Sequence, residues 1–268
     1  MENQPTSAEE IRARAERYLA ACSEYTDPGE RERLIANWVR KGDVAPEVVG
    51  DFRRRAGEPR GKRLLEVGFG SGLFAVAFAR AGAEVHGLEV NPVLLDIARE
   101  NSKRDGAAVD LKVYDGRKFP YTDNFFDYAF STSVLEHVSN PREVLAEIAR
   151  VLKRGGKCYL SFPNRWAPLE THTHIWFLSF LPRTLAEFVM RRFYKRNAIE
   201  ELNLHFLSYF KLRRLIRALP LAVCFEYEAK TTPRRIAKRV LGTFGIHHSA
   251  ILRTVMVILE KEGIKEEF

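Results

Sequence analysis

Leu64-Leu65-Glu66-Val67-Gly68-Phe69-Gly70-Ser71-Gly72 is the stretch that decides the fold. An apolar run enters from Arg63, a glycine stands at every second position from 68 to 72, and a helix-compatible run covers 73–81. That order describes a strand, a tight turn and a helix N-terminus. Glycines at such a turn allow positive φ and let a ligand lie against bare peptide, while the first N–H groups of the helix point at it. A polar ligand is therefore expected there. The dinucleotide fingerprint G-x-G-x-x-G would require a third glycine where the chain has Leu73. The spacing here is Glu66-x-Gly68-x-Gly70-x-Gly72.

Outward from this turn, short apolar runs alternate with helical patterns. Strands are expected at 63–67, 84–89, 109–113, 126–131 and 156–162, and helices at 72–81, 92–104, 133–138 and 141–152. Strands separated by helices imply right-handed crossovers and a parallel sheet covered on both faces. A helix at 208–219 and strands at 221–229 and 251–260 complete the pattern. The expected fold is α/β, Rossmann-like and doubly wound, with a mostly parallel seven-stranded sheet. N-terminal helices precede it, and a helical lid follows the fifth strand.

The chain divides into a helical extension, 1–61, and a main domain, 62–268. In the extension, a helix at 6–22 opens on Thr6 or Ser7 with Glu9 and Glu10 in its first turn. A second helix, 30–41, and a third, apolar-basic segment, 44–55, follow the break at Thr26-Asp27-Pro28-Gly29. The stretch 163–205 carries Trp166, Trp176, Phe177, Phe180, Phe188, Phe193 and Tyr194 among Arg and Lys, too apolar for a solvated loop. Its place at the carboxyl end of a strand makes it a substrate-covering lid.

Composition narrows the class. With 46% hydrophobic and 29% charged residues, disorder of the whole chain is excluded. No apolar run is long enough to span a membrane, and Met1-Glu2-Asn3-Gln4-Pro5 shows no basic-then-apolar leader, so a cytoplasmic protein is expected. Cys22, Cys158 and Cys224 have no paired spacing, and Cys158 and Cys224 read as buried small hydrophobes. The net charge of +8 is uneven: 183–239 holds 14 Lys/Arg against 5 Asp/Glu, so an anionic partner is expected for the C-terminal half. Residues 232–248 set Arg234, Arg235, Lys238 and Arg239 beside Ile236, Val240, Leu241 and Phe244. That is either a basic amphipathic helix for peripheral contact with an anionic membrane or a helix whose apolar face packs on the sheet.

Glu89 ends the second strand in His86-Gly87-Leu88-Glu89-Val90-Asn91-Pro92, where a carboxylate can accept from both hydroxyls of a ribose. Val113-Tyr114-Asp115-Gly116 ends the third strand, and Asp115 to Pro120 fits D-x-x-x-x-P. Asp123-Asn124-Phe125-Phe126-Asp127-Tyr128-Ala129, then Ser131-Thr132-Ser133-Val134-Leu135-Glu136-His137-Val138, then Leu152-Lys153-Arg154-Gly155-Gly156 follow in order. Together with the glycine turn, these motifs resemble those of class I S-adenosylmethionine-dependent methyltransferases of the small-molecule, ubiquinone and menaquinone methyltransferase-like type, over about residues 62–163. The resemblance implies S-adenosylmethionine as cofactor. Glu66, Gly68, Gly70 and Gly72 would hold its methionine end, Glu89 with Val90 the ribose, and Asp115 with Gly116 the adenine. Ser131 stands where the family often has Asp or Asn, and it completes the expected cofactor site. N-terminal helices in this family commonly pack over the cofactor; here they could equally be an extension without that role.

The implied reaction is in-line displacement from a sulfonium. The protein must orient an acceptor, exclude water and remove a proton where the acceptor has one. His137, His172 and His174 are the candidate bases, because histidine titrates near neutrality. Each could instead be structural. The pair His172-x-His174 raises a metal reading, but no third ligand at suitable spacing is apparent, and no metal is expected. The expected function is methylation of a small-molecule or lipid-linked hydroxyl. The alternatives are a nucleic-acid methyltransferase, suggested by the basic half but lacking an Asn-Pro-Pro-Tyr-like tetrad or Pro-Cys nucleophile, and a non-catalytic S-adenosylmethionine-binding protein.

Overall fold

A computed structural model describes residues 7–22, 28–194, 198–201, 203–224, 239–240, 242–243 and 252–262. Along the chain lie α1 (Ala8–Ala21), α2 (Pro28–Arg55), β1 (Arg63–Val67), α3 (Leu73–Arg80), β2 (Glu84–Glu89), α4 (Pro92–Arg104), β3 (Val109–Val113) and β4 (Phe126–Thr132). Then come α5 (Pro141–Val151), β5 (Leu152–Pro163), α6 (Arg183–Val189), α7 (Ala198–Glu201), α8 (Tyr209–Ile216), β6 (Leu221–Cys224) and β7 (Thr254–Lys261). The strands form a seven-stranded sheet in the order β3-β2-β1-β4-β5-β7-β6. This is the expected doubly wound α/β fold. Two compact units divide the chain, one made of residues 1–131 and 151–157, the other of 132–150 and 158–268.

In the first unit, β1 pairs in parallel with both β2 and β4, and β2 with β3. The chain visits β2 and β3 on one side of β1 before crossing to β4 on the other. Such a reversal leaves a crevice at the carboxyl ends of the strands, where open α/β sheets bind ligands. The buried side chains Leu64, Leu65, Phe78, Phe126 and Phe130 make the core. Phe52 of α2 meets the rings of Phe78 and Tyr128 edge-on at 5.0 and 5.2 Å.

The N-terminal helices belong to this unit. Ser7 caps α1: its Oγ accepts from the Glu10 N–H at 3.2 Å, and Glu10 Oε2 accepts from the Ser7 N–H at 2.9 Å. Ile11, Ala15, Tyr18 and Leu19 of α1 form one buried cluster with Ile35 and Trp38 of α2, Leu73 of α3 and Ile97 of α4. The two segments expected at 30–41 and 44–55 are a single helix, with Pro46 inside it. Ile35, Trp38, Ala45, Val49 and Phe52 are all buried along it, so tertiary packing overrides the local breakers. Gly42 serves this packing directly, since a Cβ there would lie 2.5 Å from Ile11 Cδ1.

In the second unit, β6 and β7 pair antiparallel, with Leu221 opposite Lys261 and Cys224 opposite Ile258. The expected helix at 133–138 is absent, and a turn replaces it. Ser133 takes φ 57°, which no helix can continue through, and the turn is fixed from outside by 203–205. Asn203 Nδ2 donates to the His137 carbonyl at 2.8 Å, and the His205 N–H donates to the Glu136 carbonyl at 2.7 Å. The lid is helical as expected, with a 3-10 turn at Leu178–Phe180, α6, a π turn at Met190–Tyr194, and α7.

Its core is not the expected one. Leu178, Ala186, Met190, Ile199 and Leu204 pack together, while all seven lid aromatics named above are 38–67% exposed. The rings therefore do not line an enclosed apolar pocket. Cys224 is also exposed, contrary to expectation, because it ends the edge strand β6; Cys158 is buried. The basic stretch 232–248 lies outside the described residues, apart from 239–240 and 242–243.

Candidate active site

The glycine turn caps the crevice of the first unit. Gly68, Gly70 and Gly72 all have positive φ, at 74°, 53° and 75°. At Gly72 this requirement is joined by a close approach, since a Cβ there would sit 2.6 Å from that of Ala98 on α4. At Gly70 a Cβ would meet nothing within 4 Å, so that peptide faces open space, as a ligand-binding turn requires.

Glu89 reaches back to the turn. Its Oε2 accepts from the Gly70 N–H at 3.0 Å, and its Oε1 from the N–H groups of Val90 at 2.8 Å and Asn91 at 3.3 Å. A carboxylate has about four lone-pair sites. Three are used, and one remains for a hydroxyl.

Glu66 lies behind the turn, 2% exposed. Burial pushes its carboxyl well above the usual range; Lys41 opposes the push, Glu89 adds to it, and the Ala75 N–H opposes it. Its Oε2 has no hydrogen-bond partner, and neither does the buried Ser131 Oγ at the end of β4. Two orphaned polar atoms in one unit fit a ligand bearing an ammonium and a carboxylate, as the methionine end of S-adenosylmethionine does. On the far side, Asp115 is exposed and accepts from the N–H groups of Arg117 at 2.9 Å and Lys118 at 3.3 Å. Those N–H groups, that of Arg117 foremost, hold its carboxyl below the ordinary range. A Cβ on Gly116 would lie 3.5 Å from Val90 Cγ1, and Val90 is 55% exposed. Bare peptide beside an exposed apolar side chain offers a bed for a flat ring.

The second unit gathers two of the three candidate histidines. The rings of His137 and His172 stand edge-to-face at 5.0 Å, and each Nε2 lies 3.9 Å from Oε1 of Glu136. Glu136 is 1% exposed. Glu170, 4% exposed, takes His172 Nδ1 at 3.1 Å, the His172 N–H at 2.9 Å, and the N–H and hydroxyl of Thr173 at 2.6 and 2.8 Å. An ionised carboxylate only accepts, so the Nδ1 carries the proton and the Nε2 turns toward Glu136. Burial works against both charges, yet the mutual bond and the Thr173 donors bring Glu170 down to about 2. The same bond, with the charges of Glu170 and Glu136, raises His172 above its ordinary value despite burial.

His174 is elsewhere. It is exposed, at φ 57°, with its N–H donating to the Glu170 carbonyl. The turn at 171–173 sends the two histidines apart, although an extended strand would have aligned them. Glu136 and Glu170 were not singled out from the sequence. The His172-x-His174 pair is thus not a ligand pair, but one ligand atom each from Glu136, His137 and His172 lie within 4.8 Å of one another, close enough to share a divalent ion.

A glycine turn after β1, an acid ending β2 and a crossover reversal beside β1 define an open α/β domain with its ligand crevice at the end of β1. Residues 65–160 match the family described as a methyltransferase domain, and this region is a class I methyltransferase domain, a class that takes S-adenosylmethionine. A ubiquinone biosynthesis O-methyltransferase of Xanthomonas axonopodis pv. citri (strain 306) is 38% identical over 109 residues, 40% of this chain and 46% of that protein. The chain spans less than two thirds of the length of the first curated relatives it matches. Among solved structures, an S-adenosylmethionine-dependent methyltransferase from Mesorhizobium loti superposes with a TM-score of 0.57 at 18% identity, covering 82% of this chain and 99% of that one. The [4+2]-cyclase SpnF superposes at 0.56 and 21% identity, covering 82% of each chain. One fold thus serves differently named proteins, and the reaction must be argued from the site.

Proposed function

We propose that the chain transfers the methyl group of S-adenosylmethionine to a hydroxyl of a small-molecule or lipid-linked acceptor. Glu66 and Ser131 meet the methionine end, Glu89 a ribose hydroxyl, and Val90 with Gly116 and Asp115 the adenine. Bound there, the cofactor supplies a methyl on a positively charged sulfur, a group that needs no further activation. The chain's remaining task is the proton. His172 takes it at Nε2, with Glu170 holding the ring from Nδ1 and Glu136 steadying the resulting imidazolium; His137 stands beside it as the second candidate.

The observation that carries this reading is the Glu170–His172 bond, a buried carboxylate orienting an imidazole whose other nitrogen is directed at a second buried carboxylate. An amine acceptor is less favoured, since Ser131 supplies no acidic group at the end of β4. The test uses purified full chain and methyl-labelled cofactor on lipid, metabolite and RNA fractions. Label in an alkali-stable product of the lipid or metabolite fraction, lost in His172→Ala, supports the proposal. Label in RNA favours the nucleic-acid alternative, and cofactor binding without label anywhere favours a non-catalytic binder. Activity abolished by a chelator and restored by a divalent metal would replace the base with a metal at Glu136, His137 and His172.

A further inference from the structure

Four lid aromatics form a continuous outward chain. Trp166 meets Phe180 edge-on at 5.5 Å, Phe180 meets Phe177 at 5.6 Å, and Phe177 meets Trp176 at 6.0 Å. Their exposures are 43%, 38%, 56% and 65%. The loop is built to hold them out. Phe177 takes φ 60°, a conformation that bulky residues rarely adopt, and its N–H donates to the Pro168 carbonyl. Trp176 bridges Leu169 backbone to backbone. Arg165 donates to the carbonyls of Phe180 and Leu181 at 3.2 Å each, and Ser179 Oγ donates to the Arg165 carbonyl at 2.8 Å. Rings fixed in water by this many contacts are not the residue of poor packing.

Cations flank the rings. The Arg165 guanidinium carbon lies 5.5 Å from the Trp166 ring centre. Lys211, on α8, has its ammonium pushed below the ordinary range by burial and by the charge of Arg165, and among the described residues no carboxylate offsets it. Burial, and then the charges of Arg183 and Lys211, lower His205 likewise. Arg213 and Arg214 of α8, and Arg217 just after it, are exposed, as is Phe210, and no Asp or Glu occurs from 202 to 225. Like charges crowded beside exposed Trp and Phe match an interface that is anionic at its surface and apolar beneath. A second copy of the chain would oppose cations to cations.

We infer that this face of the lid docks on an anionic phospholipid bilayer, with Trp166, Trp176, Phe177 and Phe180 entering the headgroup region and Arg165 and Lys211 meeting the phosphates. The inference does not depend on which acceptor is methylated. It is tested with the full chain and vesicles of phosphatidylcholine, alone or mixed with phosphatidylglycerol. Salt-sensitive sedimentation with the mixed vesicles only is expected. A blue shift of tryptophan emission should accompany it, since Trp38 is 6% exposed and the lid tryptophans carry the change. Trp176→Gln with Phe177→Asn, the asparagine tolerating the left-handed backbone, should weaken binding about tenfold at unchanged melting temperature and cofactor affinity. Lys211→Gln should weaken it by less. Should the double variant melt early, quenching of wild-type tryptophan by brominated acyl chains decides, and its absence overturns the inference. So do equal binding to neutral vesicles, a stable double variant that binds like wild type, or lipid-free self-association abolished by the double variant.

Discussion

Each unit buries a glutamate, and the two glutamates behave differently. Glu66, 2% exposed behind the glycine turn, keeps one carboxyl oxygen without a partner and has its pKa driven up by burial. Glu170, 4% exposed in the lid, suffers the same desolvation but is wrapped by His172 and Thr173 and comes down to about 2. The first unit holds an unanswered acid behind bare peptide and waits for a cation from outside. In the second, the acid already has its partner, and what it offers is a poised imidazole. The first should fail when its backbone is altered, the second when its side chains are.

The largest expected effect is on the backbone of the first unit. Gly72→Val places a side chain at φ 75° and a Cβ 2.6 Å from that of Ala98, and should cost about 3 kcal/mol or more, read by thermal melting. Gly70→Val meets no neighbour and should cost less stability while still weakening S-adenosylmethionine in calorimetry. If the two variants lose stability equally, close packing at Gly72 is not what requires the glycine.

Glu170→Gln comes next. It leaves His172 without its ionised partner and should cost about 3 kcal/mol. The folded carboxyl titrates below its unfolded value, so its contribution is present above the ordinary carboxylate range and is lost as pH falls toward about 2. Acid unfolding of the variant should therefore lack that part of the wild-type slope. As a base His172 must be neutral, so activity should rise with pH through its raised pKa, and Glu170→Gln should move that limb to lower pH. An unmoved limb would assign the proton to another group.

Glu66→Gln should act in the opposite sense. A carboxyl raised on folding binds more protons folded than unfolded, so the cofactor-free protein should lose stability as pH rises from the ordinary carboxylate range through the raised value. The variant should flatten that loss and bind the cofactor more weakly. Ser7→Ala, which removes the cap of α1, should cost only about 1 kcal/mol in melting.

The first unit was legible because its chemistry is written in neighbours. Gly68, Gly70 and Gly72 follow Glu66 directly, and Glu89 ends the adjoining strand, so alternation and turn chemistry locate them. The structure gives β1, β2, β3 and α4 the expected bounds. The second unit joins residues 136, 137, 170 and 172 across a turn that the distant residues 203–205 help hold in shape, and no local period records such a contact. Reading 133–138 as helix therefore failed, and Glu136 and Glu170 passed unnoticed. Aromatic content likewise marked the lid as ordered without saying that its rings face out. The division into 30–41 and 44–55 failed for the same reason, since the packing that makes them one helix leaves no local record.

The contact of α1 and α2 with Leu73 and Ile97 also bears on the order in which the chain is made. The apolar faces of the first two helices are made before Leu73 and Ile97, the residues that complete their cluster. Until Leu73 and Ile97 have both been made, Ile11, Leu19, Ile35 and Trp38 lack the residues that close their cluster. During that interval α1 and α2 form an amphipathic pair whose docking must await the strand and helix that follow the glycine turn.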